Sequence, residues 1–255
     1  MAYNAIRRTS AATVPVDADV AAATIPWHWL LIPLALLAGL LAMENTSIDL
    51  MISHWFYDSA AHAFPLRNTF FFDTVLHHWT KYLVILATCM VVAGLLLTWV
   101  IPALARWRGM LLFLALAMAL APLTVSLLKL VTDRPCPWDF VEFGGLEPYT
   151  HLFQFRGIVH ARGQCFPAGH AATGFALMAF FFVFHHEHRH ALARFALLAG
   201  ILGGVLLGIA RIAQGAHFLS HVLWSGLVCW LVMVGLYAAL FTPRSSDGSS
   251  LATRI

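Results

Sequence analysis

Three short polar segments interrupt the long apolar stretches of this chain, and they carry residue types that could handle phosphate. The segments are 129–135 (KLVTDRP), 166–170 (FPAGH) and 211–217 (RIAQGAH). Each lies near the end of a predicted membrane span, where charge is costly and therefore indicates function. Hydrolysis of a phosphate ester requires cationic groups around the phosphoryl oxygens, a nucleophile in line with phosphorus, and an acid for the leaving oxygen. Lysine, arginine and imidazole side chains can provide all three.

Several of these residues also have a structural interpretation. Lys129 and Arg134 could extend from a helix end into water while their stems stay buried. His170 follows Gly169 and could be an interfacial histidine at a helix start, although such a start also favours an anion. Arg211 is harder to explain in this way, because it ends a long apolar run on the side where basic residues should be scarce.

Two imidazole patterns suggest metal binding, and we reject both. His217 and His221 are one helical turn apart, but no cysteine, aspartate or third ligand is evident beside them. Residues 186–190 (HEHRH) match the zinc-protease pattern H-E-x-x-H at a point where a helix is predicted to end, again without a third ligand. The sequence therefore predicts neither a metal nor a cofactor.

Composition places the chain in a membrane. Hydrophobic residues make up 60% of it and charged residues 11%, with a mean hydropathy of +0.78, whereas a soluble domain has about 25% charged residues. The net charge of +3 is too small to indicate a nucleic-acid partner. Apolar stretches that approach the roughly 20 residues needed to span a bilayer predict an all-α, six-helix membrane bundle. They are 27–43, 82–101, 110–130, 170–185, 195–212 and 218–241.

The same reading gives the domain organisation and the orientation. Residues 1–26 are predicted to be a mobile segment, 27–241 a single membrane domain and 242–255 a disordered tail. Basic residues cluster before the first span, between spans two and three, between four and five, and after the last, which predicts cytoplasmic termini. The three polar segments then face the periplasm or the outside of a bacterial-type inner membrane.

The outer loops carry further signals. Loop 45–81 is rich in aromatic residues, which suit an interfacial helix; interface anchoring is the simpler interpretation and a lipid-entry wall the functional one. Loop 138–149 could cap the site or be an ordinary surface loop. Cys136 and Cys165 lie beside two of the polar segments and could form a disulfide in an oxidising compartment, with two free thiols as the alternative. Cys89 and Cys229 lie within spans and are interpreted as packing residues.

The ordered set of segments resembles the motifs of the type 2 phosphatidic acid phosphatase superfamily, which read K-x6-R-P, P-S-G-H and S-R-x5-H-x3-D. The resemblance covers roughly residues 111–235 and implies a metal-independent membrane lipid phosphatase. It implies that His217 attacks phosphorus and becomes a phosphohistidine, while His170 protonates the leaving oxygen and then activates water. The phosphate ligands that it implies are Lys129, Arg134, Arg211 and the main-chain N–H of Gly169.

The chain departs from the family pattern at four positions, which are Cys136, Ala168, Ala210 and His221. Cys136 replaces an arginine, and together with Cys165 it suggests a branch in which a disulfide ties the first motif to the second. His221 replaces the aspartate that should orient the nucleophile. A neutral imidazole there could accept a hydrogen bond from His217, and Asp133, Asp139 or Glu142 could supply the missing negative charge.

We therefore expect a phosphatase that acts on a lipid phosphate or diphosphate at the outer membrane face. An undecaprenyl diphosphate-type carrier, a glycerophospholipid phosphate and a lipid A phosphate are the candidate substrates. A lipid phosphotransferase of the same fold, or a protein that binds or transports phosphate lipids without catalysis, remains as an alternative. A secondary transporter would predict two related halves, and the sequence shows no such symmetry.

Overall fold

The computed structural model describes residues 25–157 and 162–242, and within these ranges it consists of helices and connecting loops with no β-sheet. The eight α-helices of these ranges are α1 (His28–Met43), α2 (Ile48–His54), α3 (Thr80–Val100), α4 (Arg108–Thr132), α5 (Gly169–Phe175), α6 (Ala179–His186), α7 (His190–Ala213) and α8 (Leu219–Phe241). A π-helical segment, Phe71–Trp79, leads into α3, and a 3-10 turn, Ala176–Met178, joins α5 to α6. The predicted all-α class is confirmed.

The predicted number of six spans is not confirmed. Four continuous helical segments in the described ranges are long and apolar enough to cross a membrane, and a fifth results if α1 and α2, which meet at 79°, form one span. The discrepancy has a geometric cause. Helix α1 has only 16 residues, and the predicted fourth span is divided between α5 and α6, so neither reaches the roughly 20 residues of a straight span.

The main chains of α5 and α7 are in close contact because glycines line the facing surfaces of both helices. A Cβ atom on Gly174 would lie 2.6 Å from the main-chain carbon of Gly203, and one on Gly200 would lie 2.5 Å from the main-chain nitrogen of Met178. Small residues at such positions let membrane helices approach closely. This glycine seam, formed by Gly174, Gly200, Gly203 and Gly204, brings the start of α5 next to the end of α7.

An aromatic core lies at the opposite end of the bundle from the polar segments. Trp29 of α1 is 2% exposed and contacts Phe182, Trp230 and Tyr237 edge to face. The indole N–H of Trp230 also donates to the carbonyl of Trp29 at 2.8 Å. These contacts tie α1 to α6 and α8, and they hold the short first helix against the bundle.

The two long outer loops pack on each other through a second aromatic cluster. Its buried members are Phe64, Phe140, Phe143 and Phe218. Phe64 was predicted to be an interfacial aromatic, but it is only 4% exposed, whereas Trp55 is 71% exposed. Loop 45–81 therefore divides its aromatic side chains between an exposed surface and the cluster that covers the polar end of the bundle. Residues 1–24 and 243–255, which contain most of the predicted mobile segment and tail, lie outside the described residues.

Candidate functional site

The three polar segments meet at one end of the bundle, as their positions on the helices require. Lys129 lies in the last turn of α4, His170 in the first turn of α5 and Arg211 in the last turn of α7, while His217 lies in the loop that leads into α8. A Cβ atom on Gly169 would lie 3.8 Å from Nζ of Lys129, so the ammonium group reaches the main chain at the start of α5. The ends of α4, α5 and α7 and the loop before α8 thus form one polar site.

The ring of His217 is oriented by a main-chain carbonyl. Its Nδ1 atom lies 2.7 Å from the carbonyl oxygen of Cys165. A carbonyl oxygen can only accept a hydrogen bond, so Nδ1 carries the proton of this contact. In the neutral ring, Nε2 then holds a lone pair and is the atom available to attack an electrophile.

Burial keeps the His217 ring neutral. The side chain is 3% exposed, and removal from water lowers its pKa well below the ordinary value; the neighbouring His221, Lys129 and Arg211 lower the pKa further. The hydrogen bond to Cys165 acts in the opposite direction but does not outweigh burial. At neutral pH the site therefore presents a neutral imidazole next to cationic side chains.

The carbonyl of Cys165 is itself held in place on several sides. The predicted disulfide between Cys136 and Cys165 is confirmed, and the main-chain N–H of Cys165 donates to the carbonyl of Arg134 at 2.9 Å. Downstream, the N–H of Ala168 donates to the carbonyl of His221 at 3.1 Å. The Ser225 hydroxyl lies within hydrogen-bond distance of the carbonyls of Ala168, at 3.0 Å, and His221, at 2.8 Å. The first and second motifs are thus fastened to each other and to α8.

His221 does not accept the hydrogen bond that was expected from His217, because Cys165 accepts it instead. The two imidazole rings meet edge to face with centroids 5.9 Å apart. His221 is 4% exposed, and its Nδ1 has no hydrogen-bond partner among the described residues. It lines a cavity of about 20 Å³ together with Glu44, Asp49 and Thr150, a volume that admits about one water molecule.

The acids that were expected to supply the missing charge are engaged elsewhere. Asp133 forms an ion pair with Arg156 at 3.0 Å, and Asp139 accepts a hydrogen bond from the N–H of Cys136 at 2.9 Å. Glu142 is exposed on the outer loop. Glu44 and Asp49 are instead the acids that line the same small cavity as His221. Asp49 accepts hydrogen bonds from both the N–H and the hydroxyl of Ser220.

Arg134 fastens the outer loop. Its two terminal nitrogens donate to the carbonyls of His151 at 3.0 Å and Gln154 at 2.8 Å. These contacts differ from the phosphate contact expected for this residue, because both terminal nitrogens are directed to main-chain oxygens. Arg156 has a similar role, since it also pairs with Glu147 at 3.1 Å. The first motif thus contributes Lys129 to the polar site and uses its arginine to position the loop.

Arg211 is fixed by a buried amide. Its Nη1 donates to Oε1 of Gln214 at 2.7 Å, and Nε2 of Gln214 donates to the carbonyl of Arg67 at 2.9 Å. Asp73 also interacts electrostatically with Arg211. Gln214, Arg67 and Asp73 were not among the predicted site residues. Gln214 lies within the third motif but at a variable position, and the other two come from a loop far away in sequence, so no local spacing identifies them.

The H-E-x-x-H pattern is split between two helices, because α6 ends at His186 and α7 begins at His190. Nδ1 of His186 lies 3.0 Å from the hydroxyl of Tyr237. Among the described residues, no group of three or more His, Cys, Asp or Glu side chains is arranged to hold a metal ion.

Comparison with known proteins agrees with this arrangement. The family model described as "PAP2 superfamily" matches residues 110–245, a range that contains all three motifs. The chain is also 27% identical over 206 residues to the lipid A 4'-phosphatase of Francisella tularensis subsp. novicida (strain U112), an alignment that covers 78% of this chain and 88% of that protein. No solved structure matches the chain.

Proposed function

Since this chain belongs to the PAP2 superfamily, we propose that it is a membrane lipid phosphatase that hydrolyses a lipid phosphate monoester by way of a phosphohistidine at His217. One observation carries the mechanism: the only lone pair of the neutral His217 ring is on Nε2, since Nδ1 donates to Cys165 at 2.7 Å. Nε2 attacks phosphorus, the bond between phosphorus and the ester oxygen breaks, and His170 gives its proton to the leaving oxygen. Water then attacks the phosphohistidine with His170 as the base, which releases phosphate and restores the imidazole.

The cations and the helix start stabilise the transferring group. Lys129 and Arg211 supply positive charge next to His217, and both act on its ring electrostatically. The first N–H groups of α5 have no partner within the helix and can bind phosphoryl oxygens. Such preorganised donors favour the transition state, in which charge on these oxygens is redistributed.

A lipid substrate is supported by an apolar groove below the polar site. The groove has a volume of about 240 Å³ and lies between α1, α5, α7 and α8. Its walls include Phe175 on the helix of His170, Val205 on the helix of Arg211 and Leu223 on the helix of His221. An acyl chain in this groove would leave its phosphate at the level of the three motifs.

Lipid A 4'-phosphate is the first substrate to test, because the similar Francisella protein bears that activity in its name. The site would then face the periplasm. This orientation agrees with the placement of Arg106, Arg108, Arg189 and Arg194 at the opposite helix ends.

The experiment is phosphate release by the purified protein in detergent with EDTA, on a panel of lipid A 4'-phosphate, phosphatidate and undecaprenyl diphosphate. We expect release from at least one of the two monoesters, lipid A 4'-phosphate and phosphatidate, together with loss of turnover in His217→Ala and at least a hundredfold loss in His170→Ala. A rapid quench into alkaline detergent, with lipid radiolabelled in its phosphate, should trap phosphate on the wild-type protein but not on His217→Ala.

Two outcomes would contradict the proposal. Turnover that survives His217→Ala would remove His217 as the nucleophile. Binding of the lipids without any phosphate release would favour a non-catalytic phosphate-lipid protein.

A further inference from the structure

The phosphate site has a charge deficit relative to its expected ligand. A phosphate monoester carries between about 1.5 and 2 negative charges at neutral pH. In the family pattern the first motif contributes a lysine and an arginine, but here Cys136 occupies the arginine position, and Arg134 is directed to the carbonyls of His151 and Gln154. A second guanidinium would have to come from another part of the chain.

Arg67 lies where such a group is needed. Its guanidinium carbon is 4.0 Å from the centroid of the Trp138 ring, two residues after Cys136. The main-chain N–H of Trp138 donates to the carbonyl of Gly215 at 3.1 Å. The indole therefore joins the position of the missing arginine to the loop that carries His217, and Arg67 rests on its face.

A single side chain couples Arg67 to Arg211. Gln214 is 0% exposed, and its amide donates to the carbonyl of Arg67 at 2.9 Å while accepting from Nη1 of Arg211 at 2.7 Å. A fully buried amide with both ends bonded is held in one orientation. The main chain of Arg67 is therefore fixed relative to the phosphate-binding arginine.

The charges around Arg211 also favour an anion site. Arg67 and Arg211 act on each other as like charges, and Lys129 and Arg211 do so as well. Asp73 offsets part of this repulsion at Arg211. Cations held together by packing and hydrogen bonds form a site for an anion with more than one charge.

We propose that Arg67 is a substrate-binding residue that supplies the second guanidinium of the phosphate site, in place of the arginine absent at Cys136. Trp138 supports its guanidinium plane by a cation–π contact, and Gln214 sets its distance from Arg211. The exposed Arg67 side chain contacts phosphoryl oxygens on the Arg211 side of the site. This inference rests on the proposed phosphatase function.

The test is steady-state kinetics of Arg67→Ala and Arg67→Lys on the lipid that the wild-type protein hydrolyses. Because charged hydrogen bonds to phosphate are lost, we expect KM to rise about tenfold or more in Arg67→Ala, with kcat changing much less. Inorganic phosphate should also inhibit this variant about tenfold less well. Arg67→Lys should recover part of both effects, since a point charge replaces the planar group.

Lys81→Ala is the matched control, because it removes another exposed cation from the same loop region at the start of α3. We expect its KM and phosphate inhibition to stay within about twofold of the wild type. An unchanged KM and unchanged phosphate inhibition in Arg67→Ala, measured while His217→Ala is inactive, would overturn the proposal for Arg67 and leave the phosphatase function intact. A wild-type protein that releases no phosphate would instead overturn the function.

The melting temperature of each variant separates binding from folding. If Arg67→Ala is unfolded, the Arg67→Lys protein decides the question, since its ammonium group can still form a cation–π contact with Trp138. A Lys variant with wild-type melting temperature and wild-type KM and phosphate inhibition would then overturn a specific guanidinium contact.

Discussion

The Nδ1 atom of His217 lies 2.7 Å from the carbonyl oxygen of Cys165, so a peptide group orients the ring where the family pattern has an aspartate. A carbonyl fixes the tautomer as a carboxylate would. It provides only a dipole, however, and stabilises the positive charge of a phosphohistidine less than a full negative charge does. The activity proposed for His217 therefore depends most directly on the position of that peptide group.

The disulfide should be required for full activity. We expect Cys136→Ser/Cys165→Ser to lose at least tenfold in kcat, because the carbonyl at residue 165 loses its covalent support. Opening a loop with a sequence separation of 29 residues should also lower the free energy of unfolding by about 3.6 kcal/mol. Dithiothreitol should reproduce the loss in the wild-type protein. Cys89→Ser, which removes a free cysteine on α3, is the control and should remain active.

His221→Asp should reduce activity although it restores the residue type of the family pattern. The new carboxylate would line a cavity of about 20 Å³ together with the partly buried Glu44 and Asp49, and a third acid there is opposed by desolvation and like-charge repulsion. We expect at least a tenfold lower kcat and a lower melting temperature. His221→Asn, which is similar in size to aspartate but uncharged, should retain more of both. A faster His221→Asp enzyme would mean that position 221 orients His217 after all.

Acid should destabilise the protein through His217. Burial lowers its folded-state pKa well below the ordinary 6.5, so below pH 6.5 the unfolded chain binds a proton that the folded chain does not. Stability should therefore fall as the pH falls from 6.5 toward the folded-state pKa, at up to about 1.4 kcal/mol per pH unit. Melting temperatures of the wild type and His217→Gln between pH 7.5 and 5 test this. The wild type should lose more; parallel curves would contradict a neutral buried His217.

Within the glycine seam, an alanine should be tolerated at position 203 but not at position 174. A Cβ on Gly174 would lie 2.6 Å from main-chain atoms of Gly203 and Gly204, which cannot rotate away, whereas a Cβ on Gly203 has its nearest neighbour at 3.7 Å. We expect Gly174→Ala to cost about 1–3 kcal/mol, seen as a lower melting temperature and lower kcat. Gly203→Ala should be neutral or gain up to about 1 kcal/mol from helix propensity. Equal behaviour of the two variants would contradict close packing of α5 on α7.

Hydropathy predicted the long helices well because their apolar length is a local property. The predicted spans 195–212 and 218–241 correspond to α7 (His190–Ala213) and α8 (Leu219–Phe241). The shorter spans were less predictable. Residues 170–185 are apolar throughout, but a 3-10 turn at Ala176–Met178 divides the helix there, and composition does not report where a helix changes its hydrogen-bonding pattern.

The candidate site was also predicted only in part from the sequence. The order of the motifs along the chain was enough to predict that one end of the bundle carries Lys129, His170, Arg211 and His217. The partner of His217 could not be predicted, because a main-chain carbonyl has no residue type that marks it. The main-chain partners of Arg134, the carbonyls of His151 and Gln154, could not be predicted for the same reason, and its role as a phosphate ligand stays a prediction. Arg67 approaches the site only because loop 45–81 folds over it.

The glycine seam fixes the spacing of α5 and α7 even when no substrate is bound. When no substrate is bound, Lys129 and Arg211 repel each other, and this repulsion changes with ionic strength. The separation of α5 and α7 is set by contact between their main chains, which carry no titratable group. Salt should therefore alter how tightly the site binds an anion without changing the spacing between His170 and Arg211.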